Sequence, residues 1–381
     1  MNNIHISHIG AGLLALLIAQ GASAQQVVRI GHVGPTSGQI AHLGKDNEMG
    51  ARMAIADLNA KGVVIGGQKV TLELLAEDDA GDPKQGTLVA QKLVDAKVNG
   101  VVGHLNSGTT IPASKIYADA GVPQISPSAT NPKYTRNGYK TAFRVVADDT
   151  HIGGTLGRYV VKELKAPTVA IIDDRTAYGQ GLADEFDKGV RASGGRVIGH
   201  EFTNDKATDF SAILIKLKSK KPDVVFFGGM DAIAGPMLRQ IKQLGLNARF
   251  VGGDGICTAA LPQLAAGSMG DAQVFCAEAG GVDASQQAAM NDFKTRFKAY
   301  AKQDVQVYAP YSYDAVGVLV AAMVKAGSSD PAKYLPVLAK TSGYKGVTGN
   351  ISFDDKGDVR NGALTLYTFK TGQREALGVV R

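Results

Sequence analysis

Short apolar runs alternate with longer stretches whose apolar residues recur every three or four positions, and this rhythm persists through most of the chain. Residues 27–33 read as a strand, 47–60 as a helix, 68–76 as a strand and 83–96 as a helix. Residues 100–103, 111–120 and 122–126 continue as strand, helix and strand. A β-α-β-α order of this kind implies a parallel sheet covered on both faces. After Arg144, Val145 and Val146 the rhythm restarts. Helices are predicted at 152–164, 179–192, 210–219 and 235–244, and strands at 168–173, 196–201, 224–227 and 249–251. Two α/β units in one chain predict a two-lobed molecule. The boundary at 147–151 has no Pro/Gly/Ser-rich linker, so short extended segments forming a hinge are expected rather than a tether. The last third adds helices at 310–326 and 331–340 and strands at 349–353 and 363–370, with a turn from Phe353 to Asp358. Such a tail can complete both lobes by crossing back between them.

Ahead of the first strand, residues 9–19 form an apolar run too short to span a bilayer, followed by Ala22-Ser23-Ala24. A small-x-small site after such a run reads as a signal peptide over residues 1–24, which leaves an exported, soluble chain from Gln25. The segment departs from the usual pattern in having no Lys or Arg before the apolar run. The formal net charge is +6, but basic and acidic residues are interleaved throughout. The densest basic stretch, 216–221, falls at a helix end before Pro222, where cations complement the helix dipole. Without interleaved aromatics it is a solvated face, and nucleic acid is not expected as a partner. The two cysteines, Cys257 and Cys276, are expected to pair in an oxidising compartment, with two buried thiols as the alternative. They cannot supply a metal site, because no CxxC or histidine cluster accompanies them.

Two loops carry the candidate chemistry. Asn106-Ser107-Gly108-Thr109-Thr110 follows one apolar run and leads into a helix, so backbone N–H groups and hydroxyls converge on one spot, a receptor for a carboxylate. Ser126-Pro127-Ser128-Ala129-Thr130 follows the next run and should lie beside it, since parallel strands place their C-terminal loops on one edge. Asp254, in Gly252-Gly253-Asp254-Gly255, follows a strand of the second unit and offers a partner for an ammonium group. Tyr178 and the cluster Tyr308, Tyr311 and Tyr313 are candidate walls for an apolar side chain.

Other chemistries fail on spacing. Gly31 to Gly38 lacks a GxGxxG pattern, and Gly38 to Gly44 is one residue too long for a P-loop, with Asp46 where Ser or Thr should stand. A hydrolase would need Ser107 and His104, neighbours on one loop, without a G-x-S-x-G elbow. His104 reads as a packed residue at a strand end. Binding, not catalysis, is the expectation, with no cofactor and no metal.

The chain closely resembles the periplasmic Leu/Ile/Val-binding proteins, the type I solute-binding proteins of ABC importers. The resemblance is carried by Glu77-Asp78-Asp79-Ala80-Gly81-Asp82-Pro83-Lys84-Gln85, Gly103-His104-Leu105, Pro112-Ala113-Ser114, Ser126-Pro127-Ser128-Ala129-Thr130, Tyr178-Gly179-Gln180-Gly181-Leu182-Ala183, Leu238-Arg239-Gln240 and Phe353-Asp354-Asp355-Lys356-Gly357-Asp358. It implies two Rossmann-like α/β lobes with parallel-sheet cores on a multi-strand hinge. The expected division is 25–147 with 279–348 for the first lobe and 148–278 with 349–381 for the second. By resemblance, Ser107 takes the carboxylate of an amino acid and Thr130 contacts both carboxylate and ammonium. Ser128 gives a backbone carbonyl to the ammonium, and Asp254 stands where the family carries a glutamate. Tyr178 matches a tyrosine of the second lobe, and Tyr308 an aromatic of the side-chain pocket. Leu43 stands where an aromatic often covers the ligand, and Met230 where the family has tyrosine. Asn106 and Gly81 replace a cysteine pair of some members, which puts a polar group near the ligand side chain. The resemblance implies a monomeric periplasmic protein that hands an amino acid, most simply leucine, isoleucine or valine, to an ABC permease. The alternative is a sensor of another amino acid or amide that regulates a partner.

Overall fold

The computed structural model describes residues 26–282 and 286–380; the signal-peptide reading of residues 1–24 lies outside them. Two mixed α/β layers form. The first sheet has six strands, ordered in space as Val64–Ile65, Gln68–Asp78, Gln26–Gly34, Gly100–Gly103, Gln124–Ser126 and Ala142–Arg144. All its pairings are parallel except the short first one. The second sheet has seven strands. Its five parallel members are Arg196–Phe202, Thr168–Asp173, Val224–Gly228, Arg249–Gly252 and Val274–Glu278, and an antiparallel pair, Leu364–Lys370 and Gln373–Val380, closes one edge.

Buried apolar runs explain why these segments are strands. Val224, Val225, Phe226 and Phe227 are fully buried, as expected of strands with helices on both faces. The helix Ala41–Lys61 lies against Ala309–Ala326, and the two come so close that a β-carbon at Gly50 would overlap the Ala309 carbonyl. The late helix therefore packs beside the first sheet, while the late strands join the second.

Between the sheets the chain passes three times. Val145 to Ala147, Ala279 to Gly281 and the stretch around Ser352 and Gly362 together line a cavity of about 280 Å³. Arg144, fully buried, ties one pass to another through Asp358 at 2.5 Å. Cys276, on the strand Val274–Glu278, is joined to Cys257 as a disulfide.

Several elements differ from their predicted bounds. The first helix begins at Ala41, six residues before the predicted 47, because Gly44 blurs the pattern; that glycine is needed where the helix meets the Pro35 backbone. Ser107–Asp119 likewise starts four residues before 111, in a hydroxyl-rich turn of low helix propensity. The strands Val274–Glu278 and Gln373–Val380 and the helix Gln287–Ala301 were not predicted. The last two are largely exposed, and on that helix Met290, Phe293 and Phe297 are the buried residues, among many charges.

Candidate functional site

Both sheets end at the cleft between them with the C-terminal edges of their parallel strands. On the first lobe, Ser107 is the first residue of its helix and is buried. Its Oγ accepts from the Asn131 N–H at 3.2 Å, which leaves its own proton free to donate. The neighbouring hydroxyls turn away. Thr109 Oγ1 donates to the Asn106 carbonyl, and Thr110 Oγ1 to the carbonyls of His104 and Asn106. Of the loop's hydroxyl groups, Ser107 is thus the one set for an anion, together with the unpaired N–H groups of a helix start.

The second loop is held from below. Ser126 Oγ donates to the His104 carbonyl and accepts from Ala129 N–H, and Ser128 Oγ donates to the Leu105 carbonyl. Arg144 donates to the carbonyls of Ala129 and Asn131 at 3.0 Å each, and so fixes the backbone on both sides of Thr130. The Thr130 hydroxyl itself is buried beside the Asp149 carboxyl. His104 is a packed strand-end residue, bonded to Asp79 and Tyr117.

From the second lobe, Thr176 caps the helix Ala177–Ala192 and sets Tyr178 in its first turn. The Tyr178 hydroxyl donates to Asp254 Oδ1 at 3.0 Å and accepts from Gly255 N–H at 2.9 Å. Asp254 Oδ2 accepts from Tyr308, which arrives from the first lobe's side, at 2.8 Å. Burial pushes the Asp254 carboxyl up to about 6, although both tyrosines oppose the shift by hydrogen bonding. Asp149, fully buried, is held well above the usual carboxylate range by burial and then by the charge of Asp254, with the Thr130 hydroxyl and Arg144 opposing the shift. Two carboxylates in one dry region cannot both ionise cheaply. The region is therefore set to receive a cation.

Further contacts bring the lobes together. Asn131 Nδ2 donates to the Ala177 carbonyl at 2.6 Å while its backbone N–H donates to Ser107, so one residue links Ser107 to the start of the helix that carries Tyr178. His42 meets Asp231 at 2.8 Å. Leu43 is wholly buried in a small cluster with Leu105, Val307 and Tyr308, against which Met230 packs. A β-carbon at Gly255 would lie 2.7 Å from the Met230 sulfur, which explains a glycine there. Asn106, Tyr178 and Met230 line an interlobe cavity of about 600 Å³, whereas Ser107, Ser128, Thr130, Asp254, Leu43 and Tyr308 lie buried around it without lining it. Among the described residues no group of three or more His, Cys, Asp or Glu could hold a metal.

Residue-level reading missed Asp149, Arg144 and Asp46. Asp46 is buried and accepts four backbone N–H groups from Gln306 to Ala309, so it sets the loop that carries Tyr308. Asp46 stands just before the helix predicted from 47, among Lys45, Asn47 and Glu48, and Asp149 falls in the 147–151 boundary ahead of the helix predicted from 152, so neither carried a signal of its own.

A family model described as periplasmic binding protein matches residues 27–374. The Leu/Ile/Val-binding protein homolog 1 of Brucella abortus is 38% identical over 359 residues, spanning 94% of this chain and 95% of that one. The leucine-, isoleucine-, valine-, threonine- and alanine-binding protein of Pseudomonas aeruginosa is 36% identical, covering 95% of each. Among solved structures, LivJ of Streptococcus pneumoniae in complex with isoleucine superposes with a TM-score of 0.84 at 29% identity, over 93% of this chain and 99% of that one.

Proposed function

The chain belongs to the periplasmic binding protein family, and from that premise we propose that it captures a free amino acid between its lobes and delivers it to an ABC permease. Leucine, isoleucine and valine are the first candidates, since the relatives' names carry them. The observation that carries the reading is the pairing of opposite receptors across one cleft. Ser107 at a helix start faces an anion, and the buried Asp254 calls for a cation.

In this reading Ser107 and Thr130 hold the α-carboxylate, with Thr130 also reaching the ammonium and Ser128 offering it a backbone carbonyl. Asp254 takes the ammonium, Tyr178 and Met230 shape the wall, and Leu43 and Tyr308 back it from the buried cluster behind. Closure about the three interlobe segments brings the second-lobe groups over a ligand seated on the first. Burial of an aliphatic side chain contributes roughly 1.5–3 kcal/mol, far short of the about 8 kcal/mol that micromolar binding needs. Charge-assisted bonds to both ends of the zwitterion supply much of the remainder. Export through residues 1–24 completes the reading.

Titration calorimetry with the three branched-chain amino acids tests it. Binding is expected for the native chain and loss of binding for Ser107→Ala with Thr130→Ala, while circular dichroism stays unchanged. Unaltered affinity in that double variant would remove the assignment.

A further inference from the structure

The interlobe cavity adjoins the zwitterion receptors and shares Tyr178 with them. At about 600 Å³ it falls among pockets that enclose whole small molecules and exceeds what a branched aliphatic side chain fills. Its walls include Ile40, Gly81 and Asn106 from the first lobe and Asp174, Tyr178 and Met230 from the second.

Two of these residues present buried acceptors with no donor. Asn106 Oδ1 is one; the Asn106 side chain makes no cap bond to its own helix. Asp174 Oδ2 is the other. Asp174 is 2% exposed, and its Oδ1 is already committed to the N–H and hydroxyl of Thr176. Gly81, at a φ of +70°, leaves the face beside Asn106 open, since even a β-carbon there would stop 3.7 Å from Oδ1. Buried acceptors left unpaired are costly, so a ligand that brings donors gains where an aliphatic one does not.

We infer that this cavity is a side-chain subsite for an amino acid ending in a neutral nitrogen donor, of which a carboxamide is the simplest. Its two N–H bonds would go to Asn106 from one lobe and Asp174 from the other. A carboxylate end is refused by Asp174. Arg175 and Lys206 on the same walls are balanced by Asp174 and Asp205, so no net charge there calls for a full cation. Branched-chain amino acids then bind by the shared zwitterion receptor without using these acceptors. The inference rests on the amino-acid reading above and sharpens its specificity.

Calorimetry of the native chain with L-glutamine, L-glutamate and L-leucine decides it. Glutamine is expected to bind at least tenfold more tightly than either of the others. In Asn106→Leu the glutamine-to-leucine affinity ratio should fall at least tenfold. Leucine binding more tightly than glutamine to the native chain, or a ratio unmoved in Asn106→Leu, overturns the inference and leaves the amino-acid reading standing. Failure of every amino acid to bind removes both.

Discussion

The two lobes meet the same cleft with opposite electrostatic habits. On the first lobe the receptor is neutral and mostly satisfied. Ser126 and Ser128 are tied to backbone carbonyls, and Arg144 clamps the loop from beneath, with Ser107 and Thr130 keeping capacity to spare. On the second lobe the receptor is charged and poorly compensated, with Asp254 driven up to about 6 by burial and Asp174 likewise. The first lobe keeps geometry ready at little cost. The second holds a charge that the folded protein alone does not neutralise, so a cation would gain most there.

The strongest way to break this comparison is Asp254→Asn. Truncating one partner of a buried charge pair costs about 2–5 kcal/mol, so ligand affinity should drop roughly 30-fold or more by calorimetry. The unliganded variant should nonetheless melt higher at pH 7. A carboxyl whose folded pKa is raised loses stability as pH climbs from its unfolded value to its folded one, and asparagine escapes that loss. A lower melting temperature for the unliganded variant would show that Asp254 is structural.

Acid should weaken binding through the same group. Below pH 6, where Asp254 takes up a proton and the ligand remains zwitterionic, affinity should fall by up to about tenfold per pH unit. A flat profile between pH 7 and 5 would place the ammonium elsewhere.

Tyr308→Phe sharpens the point. Loss of a hydrogen bond to the charged form raises the carboxyl further. The midpoint of the acid profile should move up by about one unit, the shift expected for a bond worth about 1.5 kcal/mol.

The smallest effect belongs to His42. Burial lowers its pKa, but the hydrogen bond and charge of Asp231 outweigh that and leave it raised. Its contribution to lobe closure is complete below the ordinary histidine value and fades as pH rises through the raised one. His42→Gln should speed ligand release about two- to threefold at pH 6, as expected for a partly exposed pair, and leave release unchanged at pH 8.5, measured by stopped flow.

Much of the fold was legible locally. The strands Gly100–Gly103 and Thr168–Asp173 end where the apolar runs end, and the helix Pro83–Asp95 begins where Asp82 and Pro83 announce it. A buried strand is an uninterrupted apolar run and a capped helix start is a local hydrogen-bond pattern, so both are written in neighbouring residues. The sequence by itself therefore determined two parallel-sheet units and the hydroxyl loops at the strand ends. It did not determine which hydroxyls remain free. Thr109 and Thr110 look like Ser107 in the chain, and only the folded turn directs them back to Asn106. Nor did it place Tyr308 against Asp254, Asp149 within the field of Asp254, or Asp46 under the loop that carries Tyr308. Those arrangements join residues far apart along the chain, and periodicity records which face of an element is buried but not what covers it. The tertiary structure decided where charge is left uncompensated, because that depends on the sum of distant partners that burial brings within reach.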